Sequence, residues 1–175
     1  PEFPNAEFPD SQMLRVGRMT TTKVNSISDL YVPRAAQTMA ALWRKADAET
    51  NVDTRRFLRF MVEQAIWGLS ALNRYQPSQH LNYGGSQVNR QLNGVYYIAS
   101  MYAECSPWHN LDGKVSRLAS AFRKYSGTNG ASIVSTGSAS HIPISSNCVD
   151  YIFTDPPFGE NIYYSDLNFL VESWH

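Results

Sequence analysis

The apolar positions change their period along the chain, and the change divides it. Ala36, Met39, Ala40 and Trp43 recur at helical intervals, and Pro33 ahead of them suits a first helical position. This predicts a helix over 33–47. A broader stripe, Phe57, Met61, Ala65, Leu69 and Leu72, widened by Leu58, Val62 and Ile66, predicts a second over 54–72 with Asp53 or Thr54 as its cap. Ser106-Pro107 opens a third over 107–125, with Leu111, Val115, Leu118 and Phe122 on one face and Gly127 and Gly130 beyond its end. Such wide apolar faces are nearly always core, so the three helices are expected to pack together.

Residues 1–27 lack this period. Pro4 and Pro9, within the near-repeat Glu2-Phe3-Pro4 and Glu7-Phe8-Pro9, disfavour regular structure and predict an extended arm. Phe3 and Phe8 either anchor that arm to a body or leave it loose. Residues 73–94 are polar and irregular, and loops of that length inside compact domains are often functional or disordered. Val95-Tyr96-Tyr97-Ile98 reads as a short strand.

Beyond Gly130 the texture turns to short β-type runs. Ser132-Ile133-Val134-Ser135-Thr136 is one, Val149-Asp150-Tyr151-Ile152-Phe153-Thr154 is the second, and a crossing segment lies between them. Strands alternating with connections predict an α/β sheet, with the two runs parallel and adjacent. The expected organisation is an arm over 1–27, a helical region over 28–127 and part of an α/β domain over 128–175.

Composition narrows the classes. The 175 residues carry 15 basic and 15 acidic side chains, a formal net charge of zero. That argues against a DNA-coating protein but leaves room for an enzyme with a locally basic cleft. No apolar run is long enough to cross a bilayer and no signal segment opens the chain, which predicts a cytoplasmic protein. Cys105 and Cys148 lack metal-ligand spacing and read as two buried thiols, so no metal site is expected. His109 reads as a surface residue. Arg55, Arg56 and Arg59, at the end of their helix that the dipole disfavours for cations, are expected to be satisfied mainly by water. The start at Pro1 and the finish at Ser173-Trp174-His175 read as boundaries inside a longer polypeptide.

The second β-type run leads directly into Thr154-Asp155-Pro156-Pro157-Phe158-Gly159. In open α/β sheets ligands bind beyond the carboxyl ends of strands. Two prolines pin their own φ angles, and the first pushes Asp155 out of the helical region. A carboxylate and backbone carbonyls are thereby held on a stiff turn beside the Phe158 ring. This combination accepts hydrogen bonds from an amine while stacking a planar ring. As a bare tripeptide Asp-Pro-Pro is a common strand-ending turn. The flanking residues, together with Tyr163-Tyr164-Ser165-Asp166-Leu167 downstream, favour the chemical reading.

These last residues, 148–175, resemble the catalytic-motif region of S-adenosylmethionine-dependent DNA methylases that modify exocyclic amines. The similarity is to bacterial adenine-specific enzymes with Asp-Pro-Pro-Phe or Asp-Pro-Pro-Tyr, such as serve restriction-modification systems. A weaker resemblance extends through the helices, including Leu30-Tyr31-Val32-Pro33-Arg34. It implies a partial Rossmann-like methyltransferase sheet preceded by a mainly helical region. It implies that Asp155 and the Pro156 carbonyl hold the target amine, adenine N6 in preference to cytosine N4, and that Pro157 and Phe158 complete the loop, with Phe158 stacking a flipped base. Asn161 and Tyr164 become candidates to line the pocket or touch DNA, and Ser138 and Ala139 candidates to contact the cofactor. The family's aromatic-Gly-x-Gly cofactor loop is absent, and Ser138 stands where an acidic residue is common. The chain is therefore expected to be an incomplete, inactive portion whose partners are DNA and the remainder of a parent polypeptide. The competing readings are a non-catalytic DNA-binding or assembly module and an RNA or protein amino-methyltransferase.

Overall fold

The computed structural model describes residues 3–10, 19, 22–81, 87–88, 90–127, 130–156 and 163–175. Ser26 begins a 3₁₀ turn, Ile27–Leu30, whose entry is fixed by Asp29 accepting from the Asn25 and Ser26 amides, each at 2.9 Å. Helix α1 follows at Pro33–Asp47, with Pro33 at its first turn. Helix α2 spans Val52–Glu63, and its cap is Asn51, whose side chain accepts from the Thr54 amide at 2.9 Å. A short α3, Pro77–Leu81, lies within the polar stretch. Helix α4 spans Pro107–Tyr125, and α5 spans Tyr164–Glu172.

The core forms where these apolar faces meet. Ile27 and Leu30 from the 3₁₀ turn, Met39 and Trp43 from α1, Val62 from α2, Ile66 and Leu72 beyond it, and Leu170 from α5 make one buried cluster. Helix α1 packs on α2, and α4 joins both through its first turns. Leu111 is buried there, whereas Val115 and Phe122 are half exposed. Phe122 makes an edge contact with Phe57 of α2, centroids 4.3 Å apart. The three expected helices therefore exist and pack, although the stripe of α4 is covered only near its beginning.

The second helix ends earlier than its apolar stripe. Residues 64–72 follow as turns, yet Ala65, Ile66, Leu69 and Leu72 stay buried. The cause is tertiary competition for backbone groups. The Tyr31 hydroxyl donates to the Ile66 carbonyl at 2.8 Å, and the Ala71 amide donates to the Leu30 carbonyl at 2.7 Å.

The arm is anchored. Phe3 lies edge-on to Tyr31 and Trp174, and Phe8 contacts Tyr96 and Phe169. The Phe8 amide donates to Asn25 and the Ile27 amide to Ala6. The arginines of α2 find protein partners rather than water alone: Arg59 pairs with Asp47, Arg56 with Asp53, and Arg55 donates to the Glu49 carbonyl.

The expected Rossmann-like sheet is not formed. Among the described residues the β interactions are two isolated antiparallel bridges, Glu7 with Ser26 and Arg74 with Tyr102. Residues 132–136 and 149–154 are neither paired nor in strands, and the α/β class is replaced by a mainly helical one. Ile133 and Val134 are 93% and 94% exposed, and Phe153 is 81% exposed. The physical reason is that two short β-prone runs cannot cover either face of a sheet. Without a packed layer or further strands, pairing them does not offset the entropy of ordering them. Residues 95–98 form no strand either, though the period-two pattern buries Tyr96 and Ile98. Cys148 is exposed and only Cys105 is partly buried, so the pair of buried thiols is not found.

Candidate functional site

Residues 149–156 run exposed up to Asp155 and Pro156. Asp155 makes no hydrogen bond or ion pair among the described residues, so its carboxylate is open to a ligand or to water. Pro157, Phe158 and Asn161 lie outside the described residues. The chain re-enters the body at Tyr163, and α5 follows directly. Tyr164 is the first residue of that helix and is half exposed. Asp166 lies in the first turn, the end where the helix dipole favours an acid.

Helix α5 is held firmly. Leu170 is wholly buried. The Tyr96 hydroxyl sits against the helix backbone, donating to the Asp166 carbonyl at 2.6 Å, with the Leu167 carbonyl at 3.1 Å, and accepting from the Leu170 amide at 3.2 Å. Burial pushes the Tyr96 phenol well above its ordinary range, which keeps the donor proton in place. The candidate loop is thus pinned at its downstream end, while its upstream approach has no packing.

Ser138 and Ala139 lie on a separate exposed turn. The Ser138 and Ser140 hydroxyls are 2.8 Å apart, the Ser138 hydroxyl accepts from the Ser140 amide at 3.3 Å, and the Ser138 carbonyl accepts from the His141 amide at 3.1 Å. These bonds close the turn on itself. Among the described residues no hydrogen bond or ion pair joins Ser138, Asp155 and Tyr164, and no cluster of three or more His, Cys, Asp or Glu could hold a metal ion.

Ordered polar chemistry appears instead in the stretch that reads from sequence only as a loop. Asn73 is fully buried. Its Nδ2 donates to the carbonyls of Gln87 and Ala103, each at 2.8 Å, and its Oδ1 accepts from the Arg90 amide at 2.8 Å. The Gln87 side chain exchanges two bonds of 2.9 Å with the Gln76 backbone, and Arg74 donates to the Arg90 carbonyl at 2.9 Å. Lys114 is also buried, donating to the Gln64 carbonyl, and burial pushes its ammonium down to about 8. Burial likewise raises the nearby Cys105 thiol. Asn73 directly follows Leu72, the last residue of the buried apolar stripe, and the sequence pattern does not mark Lys114.

Comparison with known proteins adds no relative: no family model, curated protein or solved structure matches the chain. Among the described residues no helix is long and apolar enough to cross a membrane.

Proposed function

We propose that this chain carries the amine-holding element of a DNA amino-methyltransferase acting on adenine N6, with cytosine N4 as the lesser substrate. The observation that carries the reading is the open Asp155 carboxylate beside the φ-locked Pro156, on a segment whose downstream helix is fixed by Tyr96 and Leu170. Asp155 would accept one hydrogen bond from the exocyclic amine and the Pro156 carbonyl a second. With both protons so engaged, the nitrogen lone pair is directed toward the electrophile. S-adenosylmethionine, when bound, supplies the methyl group. Ser138 and Ala139 are this chain's candidates for a cofactor contact, and the aromatic-Gly-x-Gly loop that would complete its seat would come from the remainder of a parent polypeptide. Orientation and fixed dipoles supply the acceleration, and no covalent enzyme intermediate is required.

The test is methylation of DNA by the parent protein carrying Asp155→Ala, with a thermal melt of the same variant. The exposed carboxylate predicts an unchanged melt, and loss of one preorganised acceptor predicts a rate lower by about 10²–10³. Full-rate methylation by a folded variant refutes the assignment. A large fall in melting temperature marks Asp155 as a structural turn residue. The absence of an aromatic-Gly-x-Gly loop from the sequence favours one competing reading, a non-catalytic DNA-binding or assembly module. DNA binding with no methylation by the parent protein would establish it.

A further inference from the structure

Helix α4 leaves a seam that the fold does not close. Trp108, Leu111, Val115, Leu118 and Phe122 share one face of it, and of these only Leu111 is buried. Trp108 is 71% exposed, and Val115, Phe122 and the opposing Phe57 of α2 are each nearly half exposed. Where α4 approaches Leu42 of α1 and Met61 of α2, Trp108, Leu111 and Val115 line a groove of about 460 Å³. Phe57 and Phe122, in edge contact, continue the seam farther along the same two helices. From Trp108 to Phe122 it runs about 21 Å, at roughly 1.5 Å of rise per residue. A lone exposed apolar side chain is ordinary, but a continuous row of them marks an interaction surface.

The charges along α4 are unbalanced. Lys114, Arg117, Arg123 and Lys124 stand against Asp112 alone, in a chain whose formal net charge is zero. Arg117 and Arg123 adjoin the stripe residues Leu118 and Phe122 in sequence, so each lies about 100° round the helix from the stripe, on opposite sides of it. Both are exposed, and among the described residues neither they nor Lys124 forms an ion pair. The cations across the seam on α2 are already matched, Arg56 by Asp53 and Arg59 by Asp47. We propose that this seam is the docking groove for an acidic amphipathic helix about four turns long, carried by a partner protein. The apolar face of such a helix covers the exposed row, and its flanking carboxylates meet Arg117 and Arg123. A groove between two helices is filled by a third helix, whereas a bilayer would need a convex surface. A second copy of this chain is disfavoured, because its own α4 would bring like charges against these. The inference is independent of the methyltransferase reading and uses no residue of the Asp155 loop.

The experiment is a fluorescence-anisotropy titration of the whole chain against a labelled helical peptide of about 14 residues. The peptide carries leucine on one helical face and glutamate elsewhere. One control has lysine in place of glutamate, and another has a proline at its centre. The acidic peptide should bind about tenfold more tightly than the basic one at low salt, and the gap should close as ionic strength rises. Trp108→Ala should weaken binding of the acidic peptide by about tenfold or more, with an unchanged melt because the indole is largely exposed. Arg117→Glu together with Arg123→Glu should reverse the preference between the two peptides. Should Trp108→Ala lower the melt, that double variant decides alone. The proposal is overturned if the acidic and basic peptides bind alike, if the proline-broken peptide binds as well as the intact one, or if a folded Trp108→Ala binds like the wild type. It is overturned equally if the chain associates with itself through Trp108 and ignores the peptide, or if vesicles of anionic lipid bind and the peptide does not.

Discussion

Replacing Asn73 by alanine should be among the most damaging single changes to this protein. The side chain is wholly buried and makes three hydrogen bonds, two donated to the Gln87 and Ala103 carbonyls and one accepted from the Arg90 amide. Each such bond contributes about 1 kcal/mol net, so their joint loss costs about 3 kcal/mol before the stranded carbonyls are counted. That is a large share of the roughly 5–15 kcal/mol that stabilises an ordinary domain. With a urea dependence of about 2 kcal/mol/M, the midpoint should fall by about 1.5 M. Asn73→Asp should be no milder. It keeps an acceptor for Arg90 but sets a carboxylate against two carbonyl oxygens. Urea unfolding gives the magnitude, and hydrogen exchange at the Arg90 amide shows whether the clamp itself has opened. A midpoint shift below about 0.3 M, or an Arg90 amide as protected as in the wild type, would refute the reasoning.

Two further outcomes follow from burial. Leu170→Ala should cost about 2–5 kcal/mol by leaving a cavity under α5, and a thermal melt of the variant checks it. Lys114 gives a pH effect of definite sign. Its folded pKa of about 8 lies below the ordinary lysine value near 10.4, so in that window the unfolded chain binds a proton that the folded chain has shed. Stability contributed through Lys114 should therefore rise with pH between the two values. The raised Cys105 thiol acts in the opposite direction over part of the window, so the quantity to measure is the difference between wild type and Lys114→Met in urea midpoint at pH 7.5 and 9.5. A difference that does not change with pH would contradict the assignment.

The parts of the fold written in local chemistry were legible in the sequence. Pro33 and Pro107 mark the first turns of α1 and α4, and both helices end where the periodic pattern ends. Gly127 takes a positive φ just beyond α4, as a residue following a helix should. The end of α2 was hidden because Leu30 and Tyr31, far back in the chain, claim the backbone of Ala71 and Ile66. Helix α5 did carry a signal, since Leu167, Leu170, Val171 and Trp174 share one face. The β-type runs misled for a different reason. Strand preference measures fit to a half-buried pleated surface, and neither run has such a surface to join. Of the candidate site, Asp155 is exposed and Tyr164 opens α5. Ser138 and Ala139 lie on an exposed turn.

The aromatic contacts of the arm carry a consequence for the order of folding. Phe3 meets Trp174 with centroids 4.9 Å apart, although roughly 170 residues separate them, and Phe8 meets Phe169 in the same way. Closing a loop of that length costs only about 2 kcal/mol more than closing one of 20 residues, so the contact is affordable at equilibrium. Kinetically it ranks last, because contacts between distant parts of a chain are slow to form before nearer ones have shortened the path. The helical pair α1–α2 should condense first, and the arm should dock onto a surface already built by α5. Substitutions at Phe3 should then speed unfolding while leaving the folding rate nearly untouched. The indole of Trp174, lying against that ring, would report the final step.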